Sequence, residues 1–149
     1  MRALGMLAIA GVITGGGATA ACGKSPVDPP PQIAWHLEAE SALSLASAQK
    51  RPLMVFVGAE WDASSKEMDH ETFSNREVRS LVRVGFVPLR IDVTDDEAPD
   101  TRENMQRFKV VGTPTTIILA PDGATELKRF HSFVPPRAFV SALHEAHAR

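Results

Sequence analysis

Tyrosine is absent from this 149-residue chain, and cysteine occurs once, as Cys22. A single cysteine excludes an intramolecular disulfide and any reaction centre built on two thiols of the same chain. A basic excess is missing too. The formal net charge is −2 and no local run of Lys and Arg stands out, which argues against nucleic acid as a partner. The five histidines do not fall at zinc-ligand spacings, and His144 and His147, three residues apart near the end, read as solvated. Asp95, Asp96, Glu97 and Asp100 lack the spacing of a calcium loop and read as a solvated stretch leading into a helix. No metal and no cofactor are expected. The remaining composition, 44% hydrophobic and 23% charged, is that of one globular domain with appendages.

Charge is also nearly absent from residues 1–21, where Arg2 stands alone before an apolar run and a zone of small residues. That is the layout of a secretory signal peptide, and Gly15-Gly16-Gly17 weakens its reading as a retained membrane span. Cys22 follows Thr19-Ala20-Ala21, which resembles a bacterial lipobox, although Thr19 stands where Leu is usual. On this reading residues 1–21 are a lipoprotein-type signal and Cys22 becomes the lipidated first residue. Cleavage at Ala18-Thr19-Ala20 is the alternative, and would release a soluble periplasmic protein. Gly23 after the cysteine, rather than Asp, resembles the outer-membrane sorting class. Loss of Arg2 with the signal moves the charge balance from −2 to −3. Residues 22–32 contain Pro26, Pro29, Pro30 and Pro31, cannot bury a core, and read as an extended tether.

A folded domain is expected over residues 33–149. Residues 33–36 fit a short edge strand, and residues 38–49 a helix with Leu37, Ala42, Leu45 and Ala46 on one side, stopped by Pro52. The apolar run at 53–57 reads as a buried strand that breaks at Gly58. Asp62 then sits at a helix start, where its carboxylate can accept from free backbone N–H groups, with Ser65 one turn on. Met68 and Phe73 give that helix its apolar side. Asn75 caps a second segment, 76–83. Residues 86–91 form the next strand, 101–108 a helix, and 115–119 another strand. Pro121-Asp122-Gly123 turns the chain into a returning strand at 127–133, and Pro135-Pro136 opens the last helix. The order is β-α-β-α-β-α-β-β-α. It predicts an α/β fold with a central mixed sheet of four to five strands, helices on both faces, and a C-terminal hairpin and helix.

Several stretches together resemble the thioredoxin-like superfamily, and within it the C-terminal periplasmic domain of DsbD-type thiol–disulfide reductases. They are Lys50-Arg51-Pro52-Leu53-Met54-Val55, Ala59-Glu60-Trp61, Lys66-Glu67-Met68, Thr72-Phe73-Ser74 and Val111-Gly112-Thr113-Pro114-Thr115. Their order and spacing carry the resemblance, which spans residues 33–149. In active members the Trp is followed by Cys-x-x-Cys, whose first cysteine is a thiolate at a helix N-terminus. Those two positions are Asp62 and Ser65 here. A buried carboxylate common in the family falls on Phe56, and a hairpin glycine on Ser132. The resemblance implies a cis bond before Pro114, and that Thr113 would pair its backbone with a bound peptide.

These departures leave a framework without its reactive pair. A capped Asp is a poor base, His70 points to another face, and a Ser-His-Asp relay would need His131 or His144 brought to Ser65 by folding. The reading leans against an enzyme. It is a membrane-tethered thioredoxin-fold protein of the bacterial envelope, redox-inactive, that binds an envelope protein or peptide. The expected groove is Trp61, Asp62, Ser65, Thr113 and Pro114. The alternative is thiol–disulfide interchange in periplasmic redox homeostasis, with Cys22 left free and delivered by the tether.

Overall fold

The computed structural model describes residues 32–148. The signal segment, Cys22 and nearly all of the tether therefore lie outside the described residues. β1 (Leu53–Gly58) is buried along its whole length and forms the centre of a four-stranded sheet ordered β2-β1-β3-β4. β2 (Val87–Asp92) lies parallel to it, with Leu53 against Val87 and Gly58 against Asp92. β3 (Thr115–Leu119) runs antiparallel on the other side, and β4 (Glu126–Phe130) closes a hairpin with β3. A mixed sheet results, as the order of elements predicts.

Side-chain alternation along β1 sends residues to two cores. Leu53, Val55 and Val57 join Val87, Leu89, Ile117 and Phe108 under α1 (Ala39–Gln49) and α4 (Pro99–Arg107). Met54 and Phe56 join Met68, Val78, Phe139 and Leu143 under the opposite layer, built by α3 (Arg76–Gly85) and α5 (Pro136–His147). Complete burial of a Phe or Leu side chain contributes roughly 1.5–3 kcal/mol. A strand that feeds both cores is therefore the costliest element to disturb.

Four expectations change. Residues 33–36 make only a bridge, in which His36 N–H donates to the Pro88 carbonyl and Arg90 N–H to the His36 carbonyl, both at 2.9 Å. Leu37 precedes α1 and is 71% exposed, so it takes no part in that helix's apolar side. The returning strand is shorter than expected and ends at Phe130, which leaves Ser132 exposed beyond it. The helix after Trp61 is also not uniform. α2 (Ala63–Glu67) passes into a π-helical turn, Met68–Thr72, closed by Phe73 N–H donating to the Met68 carbonyl at 2.8 Å. The wider turn swings Phe73 into the core, where its ring meets those of Phe56, Trp35 and Phe139 edge-on at 4.8–5.9 Å.

The π turn also ties down the entry to α5. Thr72 Oγ–H donates to the Val134 carbonyl, and Val134 N–H donates to Met68 Sδ at 3.3 Å. Thr72 is fully buried. Thr72→Val keeps the shape but orphans a buried carbonyl, so urea denaturation should show a loss of about 1–3 kcal/mol. An unchanged midpoint would mean that the contact carries no stability.

Candidate functional site

β1 ends at Gly58, and the chain turns through Ala59, Glu60 and Trp61 into α2. Gly58 is required by crowding: a Cβ there would lie 2.7 Å from the Phe56 ring and 3.1 Å from Ser65 Oγ. Asp62 is the N-cap residue of α2 in extended backbone, and its Oδ2 accepts from Ser65 N–H at 2.9 Å. The same oxygen accepts from Ser65 Oγ–H at 2.6 Å. Ser65 Oγ in turn accepts from Ala59 N–H at 3.2 Å. The hydroxyl of a buried serine thus spends its proton on Asp62 and accepts a backbone donor from the end of β1. Neither Asp62 nor Ser65 makes a side-chain hydrogen bond to a histidine. His70, His131 and His144 are all exposed. Among the described residues, Ser65 thus lacks the histidine partner that a Ser-His-Asp relay requires.

Trp61 stays on the surface at 63% exposure, but its ring is held. The indole N–H donates to the Thr94 carbonyl at 3.2 Å, and Glu60 N–H donates to Thr94 Oγ1 at 2.9 Å. Thr94 is fixed in its turn by Asp92, whose Oδ1 accepts from both its N–H and its hydroxyl. The Thr113–Pro114 peptide is cis, as the resemblance implies. Val57 pairs with Thr115, so the antiparallel register brings Pro114 to the end of the sheet where Gly58 leaves β1. Pro114 is buried and Thr113 half-buried, and neither makes a side-chain hydrogen bond to Asp62 or Ser65. The five expected groove residues therefore gather at one end of the sheet. Asp62 and Ser65 join by direct hydrogen bonds, Trp61 by sharing their turn, and Thr113 and Pro114 by register.

Phe56, where the sequence resemblance implies a carboxylate, is fully buried. Across the sheet its register partner is Arg90, whose guanidinium lies 5.1 Å from the Phe56 ring centre and 6.0 Å from that of Trp35. Both of its terminal nitrogens reach Asp69 of the π turn, at 2.7 and 2.8 Å. The hydrogen-bonded Asp69 carboxylate raises the Arg90 pKa against the opposing effect of desolvation. β2 thus carries a cation between the buried Leu89 and Ile91. Reading the strand as a block hid Arg90, although a lone charge flanked by Leu89 and Ile91 was a visible signal. Thr94 was also missed. Its place two residues after Asp92, in a short Asp-x-Thr turn, was the available clue. His147 is a smaller departure: although exposed, its ring stands 6.1 Å from that of Phe86.

The fold and turn can be set beside known proteins. A DsbD thiol:disulfide interchange protein of Ralstonia nicotianae is 35% identical over 109 residues, which is 73% of this chain and 18% of that protein. The chain thus spans less than a fifth of the length of that relative. A thioredoxin from Thermus thermophilus superposes with a TM-score of 0.65 at 28% identity, covering 77% of this chain and 87% of the other. The oxidised C-terminal domain of Neisseria meningitidis DsbD superposes with a TM-score of 0.62 at 21% identity, covering 76% and 99%. At that identity the likeness speaks for the fold alone. Residues 39–147 match the thioredoxin-like domain family from α1 to the end of α5. That span takes in both cores and the Trp61 turn, and the chain belongs to the thioredoxin-like domain family.

Proposed function

We propose that this domain is a redox-inactive binding or accessory module, tethered through a lipidated Cys22 on the periplasmic side of a bacterial envelope membrane, the outer membrane in the first instance. The observation that carries the reading is the Asp62–Ser65 hydrogen bond at 2.6 Å, at the two positions where the family resemblance puts cysteines. Oxygen cannot form the mixed disulfide on which exchange depends. What the pair supports instead is shape, since it holds the strand end and the helix start together beside Trp61 and the cis bond at Pro114. Among the described residues no helix is long and apolar enough to cross a membrane. The membrane attachment thus rests on the sequence of residues 1–22.

A second reading is favoured by the relatives, which are thiol:disulfide interchange proteins. On that reading Cys22 remains a free thiol, reaches a partner through the proline-rich tether, and serves periplasmic redox homeostasis. The domain would then contribute docking, and the tether the chemistry.

Two outcomes follow from the binding reading. Asp62→Ala deletes an N-cap and strands the Ser65 hydroxyl in the core, so thermal or urea denaturation should report a loss of about 1–2 kcal/mol. A loss of a few tenths or less would remove Asp62 from the account. Affinity capture with the full chain should enrich an envelope protein over an unrelated lipoprotein, and Trp61→Ala or Thr113→Pro should release it. Equal recovery on both baits, or capture indifferent to Trp61, would count against the reading.

A further inference from the structure

Trp61 is both exposed and oriented. Its indole is fixed on the Thr94 carbonyl while most of the ring faces solvent. A large aromatic whose orientation is set before docking loses little freedom on binding, which is the property of an interface anchor. Its chain neighbour Glu60 lines a trough of about 480 Å³ at the carboxyl ends of β1 and β2, together with Lys66, Asp69, Arg90 and Asp92, with Gly58 and Ala59 also in its wall. Asp69 and Arg90 neutralise each other as a bidentate pair. Glu60 and Asp92 share the trough with Lys66, Asp92 also acts electrostatically on Arg90, and Asp62 and Asp95 flank the same turns, so that carboxylates still outnumber cations there. None of these four carboxylates forms an ion pair among the described residues. The surface around the fixed tryptophan is therefore electronegative, and the trough has room for a long side chain.

We propose that this surface binds a peptide segment carrying lysine or arginine, with the cation between Glu60 and Asp92 and its stem or guanidinium plane against Trp61. The inference rests on the reading of the Trp61 face as a peptide-binding surface, and adds the chemistry of the peptide. Attraction between a cation and an indole face strengthens as water is displaced, and the acidic surround speeds encounter with cationic segments. Thr94 becomes a positioning residue. Its carbonyl holds the indole, and it does not touch the peptide.

Calorimetric titration of the full chain with short peptides tests this, using one apolar sequence flanked by lysines, arginines or glutamates. The basic peptides should bind at low salt roughly tenfold more tightly than the glutamate peptide, from two partly exposed ion pairs, and the gap should narrow as salt rises. Glu60→Lys combined with Asp95→Lys should reverse the preference. Thr94→Val keeps the carbonyl but removes the hydroxyl that ties Glu60 N–H to Asp92. By loosening the turn that carries Trp61, it should weaken the lysine peptide several-fold and increase acrylamide quenching of tryptophan fluorescence, with the far-ultraviolet spectrum unchanged. Failure of every peptide to bind, equal binding of the acidic peptide, or indifference to charge reversal would each overturn the proposal. If charge reversal has no effect while an envelope partner is still captured through Trp61, the peptide-binding reading stands and only the cationic partner falls. If neither peptide nor partner binds, both fall.

Discussion

The hydroxyl of Ser65 is the point on which the Trp61 turn depends. It donates to Asp62 Oδ2 and accepts from Ala59 N–H, so one buried side chain joins the exit of β1, the turn and the first turn of α2. The 2.6 Å contact is short because the acceptor is a carboxylate, and charge-assisted hydrogen bonds are the stronger kind. Asp62 is simultaneously the helix cap, so the pair satisfies backbone donors that a helix start leaves open. A disulfide at these positions could open and close. This pair holds the turn by hydrogen bonds instead.

The second departure from the family lies underneath. With Phe56 in place of a carboxylate, the floor of the turn cannot take part in proton transfer, and the space is organised around aromatic contacts. Arg90 then becomes tolerable in a sheet because its flat faces meet Phe56 and Trp35 while Asp69 satisfies its fork. The π turn matters here. By widening the helix it places Asp69 against Arg90 and Phe73 against Phe56, linking the layer above the sheet to both parallel strands. The hydrogen bonds of the turn and the aromatic packing beneath it thus meet at the same end of the sheet.

Much of this was legible in residue order. The unbroken apolar run 53–57 announced β1, Asp62 and Asn75 announced their caps, and the β-branched run at 115–119 announced β3, all because the forces involved act within a few residues. The elements that escaped depend on distant partners. Residues 33–36 look like a strand but have only the edge of β2 around Pro88 and Arg90 to pair with, so they make one bridge. The π turn exists because Phe73 has a place among rings supplied by residues far along the chain. Arg90 is hard to place from sequence because Leu89 and Ile91 on either side give the strand an apolar pattern. Thr94 acts through a contact thirty-three residues away in sequence. Asp62 and Ser65 were named from the sequence as replaced positions; their direct bond, and the proton it commits, belong to the three-dimensional arrangement.

We propose that this thioredoxin-like domain keeps the shape of its family and has given up exchange. Turnover of insulin disulfides in the presence of dithiothreitol measures that directly, with the full chain and its Cys22→Ser variant compared against reagent alone. The account predicts that both proteins leave the background rate unchanged. Catalysed reduction by the full chain that disappears in Cys22→Ser would contradict it and move the protein to the exchange reading.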